Sequence, residues 1–198
     1  LQFRRTLSGR KRLDLAATMS GLGNVYSRKG DLVQAEAMFR EVLDIQRRVR
    51  GADHPAVGEM LHNLATLAQQ RGQLAEAEAL YKQALLLFKK SDNPAESGFC
   101  LVALSSLYWR QDKLSAALDT SREALDLLRR ALGVEHSQTL YAMNSYAVDL
   151  FEVGEYAQAE RLHREILATW RKLVGDSHFN VGLSYYNLGN TLDGEGRF

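Results

Sequence analysis

The chain has 198 residues, and its 25 Lys and Arg balance 24 Asp and Glu to a formal net charge of +1. No strong field therefore draws it to nucleic acid or to an acidic membrane surface. The single cysteine, Cys100, excludes an internal disulfide framework and a thiolate zinc finger. Thirty-two Leu and 23 Ala against 13 Val plus Ile, with two prolines, are the usage of helices rather than of a sheet, so the expected class is all-α.

The chain opens on a basic segment, Arg4 to Arg12, with no following apolar stretch of the kind a secretory signal needs. The longest apolar run, Leu85 to Phe88, stops at two lysines, well short of a membrane span. Lone cysteine and missing targeting segment together point to a cytoplasmic setting. The basic segment falls in register with Gln46–His54, another basic helix end, and reads as a solvated face rather than a phosphate contact.

From residue 30 onward the chain repeats itself. Gly30-Asp-Leu-Val-Gln-Ala, Gly72-Gln-Leu-Ala-Glu-Ala, Asp112-Lys-Leu-Ser-Ala-Ala and Gly154-Glu-Tyr-Ala-Gln-Ala align, and the shared alanines 35, 77, 117 and 159 are 42, 40 and 42 residues apart. Each unit reads as two helices. The first ends at the glycine, or at Asp112, where a left-handed residue closes a helix cheaply. Eight residues before that stop lie Leu22, Leu64, Leu104, Tyr146 and Leu188, a predicted row of core knobs. The next position is always small (Gly23, Ala65, Ser105, Ala147, Gly189), which admits a closely packed partner helix. The second helix carries the shared alanine and then Val42-Leu43, Ala84-Leu85, Ala124-Leu125 or Ile166-Leu167 at helical spacing. Connections such as Gly51-Ala-Asp-His-Pro55, Gly133-Val-Glu-His-Ser137 and Gly175-Asp-Ser-His-Phe179 recur as well. A lone helical hairpin cannot bury its apolar face, so such units stack into a solenoid.

Asn63-Leu-Ala-Thr-Leu-Ala-Gln-Gln-Arg-Gly72, followed by Gln-Leu-Ala-Glu-Ala-Glu-Ala-Leu-Tyr81, resembles a tetratricopeptide repeat. The 42-residue period and the Gly-Ala-Asp-His-Pro linker resemble the long-repeat subtype of kinesin light chains. The resemblance implies a right-handed α-α superhelix. It departs at the third unit, where Asp112 replaces glycine and Leu118-Asp-Thr-Ser121 replaces Glu-x-x-aromatic, so looser packing against the next unit is expected there. By register the chain is a single array: 1–9 the end of a preceding repeat, 10–51, 52–93, 94–133 and 134–175 repeats, and 176–198 the first helix of a further one, with Phe198 in the slot of Leu32. Neither end carries the polar outer face of a capping repeat.

Candidate chemistry is sparse. His54, His136 and His178 share one linker slot a repeat apart, too dispersed for metal ligands, and read as polar residues at helix starts. Cys100 occupies the slot of Thr18, Met60, Ala142 and Ser184, which is a packing position with no nearby His to activate a thiol. No phosphate loop survives, since Gly21-Leu-Gly23 lies within a helix. No catalytic residue, metal site or cofactor is expected.

The remaining signal is one stripe along each first helix, thirteen, nine, six and two residues before its stop. It includes Asn24 and Arg28; Asn63, Thr66 and Gln70; Phe99, Ser106 and Arg110; Tyr141 and Ser145; Asn187 and Asn190. The resemblance implies that first helices line a concave groove and that asparagine nine before the stop, here Asn63 and Asn187, grips peptide backbone. The cations of a carboxylate-clamping groove are missing. These residues make a protein or peptide the expected partner, without nucleic acid or membrane. The reading is an interaction scaffold; the alternative is a regulatory segment of a larger signalling enzyme such as a kinase, a caspase-like protease or an NTPase-linked regulator. Uncapped ends leave end-to-end self-association open.

Overall fold

The computed structural model describes residues 9–194 and Gly196. Among them are nine helices and no strand: α1 Gly9–Arg28, α2 Leu32–Arg50, α3 Pro55–Gln70, α4 Leu74–Lys90, α5 Pro94–Arg110, α6 Leu114–Leu132, α7 Ser137–Glu152, α8 Tyr156–Val174 and α9 Phe179–Gly194. They divide between Asn93 and Pro94 into two compact units. The first holds hairpins α1–α2 and α3–α4; the second holds α5–α6, α7–α8 and α9.

Local chemistry sets the helix ends where the repeat requires them. Gly30, Gly72, Asp112, Gly154 and Gly196 all have positive φ, between 60° and 84°. At the end of α3, the Gly72 N–H donates to Gln69 O and the Gln73 N–H to Ala68 O, the reverse-turn bonding that satisfies the last carbonyls of a helix. Asp112 closes α5 in the same way, through Trp109 O and Tyr108 O, and Asp92, also at positive φ, closes α4 through Lys89 O and Phe88 O. The three linker histidines cap the helices that follow: Nδ1 of His54, His136 and His178 accepts from the backbone N–H of Ala56, Gln138 and Asn180 at 3.1, 3.2 and 3.1 Å.

α1 is helical from Gly9, the first described residue, so Gly9–Arg12, in register with Gly51–His54, lie within it. Gly9-Arg-Lys-Arg12 has no histidine cap to start a new helix, and its arginines and lysine are good helix formers. The assignments of residues 1–8 to a preceding helix and of Phe198 to the slot of Leu32 fall outside the described residues.

Both units have their own core. In the first, Phe39 and Tyr81 are buried against the small residues of the first helices; a Cβ on Gly23 would lie 2.6 Å from the Phe39 ring, so this glycine is there to admit that ring. In the second, Leu125, Leu128, Leu140, Met143, Ile166, Leu167, Trp170, Val181 and Leu188 form one cluster. The knob row is buried at Leu64, Leu104 and Leu188 and partly at Tyr146. Leu22, however, is 47% exposed and Val25 is 48% exposed. Their equivalents Leu64 and Leu67 pack toward the second helix of the hairpin before; among the described residues α1 has no such neighbour.

The slot four residues after the shared alanine holds Phe39, Tyr81, Ser121 and His163, all buried. The third unit is not looser there. Ser121 is matched by a buried aspartate, Asp149, at the position where the other repeats have Leu67 and Leu107, and the two side chains hydrogen-bond across α6 and α7.

Candidate functional site

The first-helix stripe is confined to one side of each helix because the other positions are consumed by packing. On α3 the buried residues Val57, Met60, Leu61, Leu64, Ala65, Leu67 and Ala68 leave Asn63, Thr66 and Gln70 facing outward or half-buried. In the first unit Asn24, Arg28 and Gln70 are exposed, whereas Asn63 is half-buried. Thr66 is structural as well as superficial: its hydroxyl contacts Tyr81 Oη at 3.0 Å, and Tyr81 donates to Gln69 Oε1 at 3.1 Å.

In the second unit Ser106, Arg110 and Asn190 are exposed, and Phe99 packs against the core cluster from its edge. Tyr141 and Leu183, the same slot on α7 and α9, are 47% and 39% exposed. Tyr141 leans on Trp170 with ring centroids 6.2 Å apart, and Trp170 also stacks with His178 at 6.4 Å. Two of the stripe residues, the predicted grip Asn187 and Ser145, are already engaged. Asn187 Nδ2 donates to Asn144 Oδ1 at 2.7 Å, linking α9 to α7, and Ser145 sits 3.3 Å from Ser105 on α5. Sequence reasoning missed Asn144, whose repeat equivalents Val102 and His62 gave no sign of a polar link.

Electrostatic perturbation is concentrated away from the stripe. Burial pushes the His163 imidazole down to about 4. Burial raises the Asp149 carboxyl, the Ser121 hydrogen bond opposes that, and the Glu152 charge adds to it. His62, edge-on to the Tyr81 ring, is lowered by burial. Among the described residues no set of three His, Cys, Asp or Glu side chains could hold a metal ion, and no helix is long and apolar enough to cross a membrane. Cys100 is fully buried within α5.

The tetratricopeptide repeat pattern matches residues 14–90, 58–130, 99–168 and 138–198. The chain belongs to the tetratricopeptide repeat family. Among curated relatives, a clustered mitochondria protein homolog of Neosartorya fischeri is 22% identical over 183 residues, covering 91% of this chain and 14% of the relative. The chain thus spans about a seventh of the length of the curated relatives it matches. Among solved structures, BtubC (BKLC) from P. vanneervenii superposes with a TM-score of 0.82 at 20% identity, over 96% of this chain and 81% of that one. A putative kinesin light chain of P. anserina with nearly identical repeats superposes with a TM-score of 0.77 at 20% identity, over 91% and 87%. At these identities the likeness shows the fold: an all-α tetratricopeptide solenoid of helical hairpins of the kinesin light chain type.

Proposed function

We propose that this tetratricopeptide chain is a non-enzymatic scaffold that holds a peptide or a partner surface on the first-helix stripe of its units. One observation carries the reading. Tyr141 and Leu183 occupy the same repeat slot and remain substantially exposed, with Ser106, Arg110 and Asn190 exposed on the same first-helix stripe. A recurring exposed aromatic or aliphatic flanked by polar groups is the composition of a binding face rather than of a solvated one. Arg28 and Arg110 add cations that suit acidic ligand residues. Pre-stacked helices lower the ordering cost of an extended ligand, so binding requires no chemistry. Asn63 supplies a backbone grip in the first unit; Asn187, committed to Asn144, must exchange that bond to do the same. The balanced charge and single cysteine support a cytoplasmic partner that is neither nucleic acid nor lipid. The great length of the curated relatives keeps a second reading, a regulatory segment of a larger signalling protein, and there the stripe would hold another part of the same polypeptide.

The test is a pull-down with the wild-type chain beside a Tyr141→Ala/Arg110→Glu/Asn190→Ala variant that retains its helical circular dichroism. A partner held by wild type and lost by the variant supports the stripe. The same partner held equally by both refutes it.

A further inference from the structure

A pocket of about 180 Å³ opens on the first unit between α2 and α4, over α3. Its floor is apolar: Leu43, Leu61, Leu64 and Leu67, all buried, with Ala68 beside them. It lies on the side of α3 opposite Asn63, Thr66 and Gln70, since the floor residues and the stripe residues are offset by nearly half a helical turn. The stripe and the pocket are therefore separate surfaces.

The mouth is charged. Arg40 donates to Glu36 at 2.7 Å and reaches Glu76 at 3.9 Å, and Arg71 also bonds Glu36. Burial pushes the Glu36 carboxyl up, but the hydrogen bonds from both arginines outweigh it and hold the group below the ordinary carboxylate range. Among the described residues the third rim cation, Arg47, has no carboxylate within ion-pairing distance. Three guanidinium groups against two carboxylates leave the mouth with one positive charge in excess.

The second unit shows what closes such a site. At the equivalent place between α6 and α8, Leu150 stands where Ala68 stands, filling the space with a buried side chain. Glu165 stands where Gln83 stands and pairs with Arg129, the equivalent of Arg47, at 3.3 Å. The first unit alone combines the small residue that opens the pocket with the neutral residue that leaves its arginine uncompensated.

We infer that this pocket anchors one bulky apolar side chain, aromatic or leucine, presented by an acidic segment of a partner protein. A cavity near 150 Å³ takes a benzene-sized group, whereas a small-molecule site of the usual kind is about 300–1,000 Å³. The volume therefore fits a side chain better than a metabolite. The excess positive charge and Arg47 select carboxylates flanking the anchor, and Gln73 and Gln83 at the rim offer donors and acceptors to the ligand backbone.

The probe is the capped peptide Glu-Asp-Phe-Asp-Glu, titrated into the 15N-labelled chain at low ionic strength, with a Phe-to-Ala peptide, a Lys-flanked peptide and 3-phenylpropionate alongside. Expected are amide shifts centred on Leu43, Ala68 and Gln83, at least tenfold weaker for the alanine and lysine peptides and for 3-phenylpropionate. Ala68→Leu, which installs the second unit's own residue, weakens the Phe peptide at least tenfold. Gln83→Glu weakens it roughly threefold to fivefold, a loss that shrinks as salt is added. Three results overturn the inference: no shifts with any peptide, equal shifts with the alanine peptide, or shifts centred on Asn63, Thr66 and Gln70. Full binding by an Ala68→Leu chain of unchanged urea midpoint overturns it as well. Tight binding of 3-phenylpropionate alone overturns the assignment to a protein partner.

Discussion

Replacing Asp149 with leucine is expected to stabilise the second unit. Asp149 is 5% exposed at a position where Leu67 and Leu107 are 2% and 0% exposed, and its Oδ2 has no hydrogen-bond partner. The other oxygen shares the Ser121 hydroxyl, whose single proton also has Leu118 O as an acceptor at 3.1 Å. Removing an unsatisfied buried carboxylate oxygen recovers on the order of 1–3 kcal/mol. The added methyl carbons contribute about 0.8 kcal/mol for each buried carbon. Packing strain of about 1 kcal/mol opposes them, kept small because Ser121 leaves room where the other units have an aromatic ring. The net is a gain of about 2 kcal/mol, or roughly 4–8 °C in Tm for a chain of this size. Both tryptophans, Trp109 and Trp170, lie in the second unit, so urea unfolding followed by tryptophan fluorescence reads that unit directly.

The pH dependence separates this from a generic hydrophobic gain. A carboxyl raised in the folded state contributes stability that is fully present below its unfolded value and is lost as pH rises through the folded one. The advantage of Asp149→Leu over wild type is therefore largest at neutral pH and shrinks on acidification toward pH 4. A variant less stable than wild type at pH 7.5, or an advantage independent of pH, would refute the reasoning.

Gly98→Ala puts a Cβ 2.5 Å from Leu128 Cγ in a fully buried contact; the clash of about 1–3 kcal/mol exceeds the helix-propensity gain of about 1 kcal/mol, and the urea midpoint falls. Gly182→Ala, where a Cβ meets nothing within 4 Å, raises that midpoint by the equivalent of about 0.5–1 kcal/mol. His163 is held at about 4, so its neutral form contributes stability present above the unfolded value near 6.5 and lost as pH falls toward 4. The loss amounts to roughly 3 kcal/mol, and His163→Phe, matching Phe39, removes that acid limb from a fluorescence-monitored titration of stability. Tyr81→Phe deletes the hydroxyl shared with Thr66 and Gln69 and costs about 1 kcal/mol, measured by chemical denaturation with helicity as the readout.

Periodicity and local backbone chemistry were legible because each acts within a few residues of the chain. The 42-residue step, the left-handed stops, the tolerance of Asp112 for such a stop, and the small residue opposite the partner helix all follow from helix geometry alone. The histidines repeated in the linkers read as polar residues at helix starts, and the structure makes them caps for the same local reason.

What a side chain does when its neighbour comes from another repeat lay beyond the sequence. Leu22 has the same pattern as Leu64, yet one is half exposed and the other buried, since burial depends on the helix alongside rather than on the residue. Ser121 looked like a gap, and only the approach of α7 to α6 showed that Asp149 completes it. Asn187 promised a backbone grip until α9 brought it within 2.7 Å of Asn144. The pocket of the first unit depends on Ala68 and Gln83 being small and neutral at two points 15 residues apart, on helices that meet only in the fold. Sequence periodicity determined which elements exist and where they stop; side-chain volume and charge, summed over helices distant in sequence, decided which surfaces remain available.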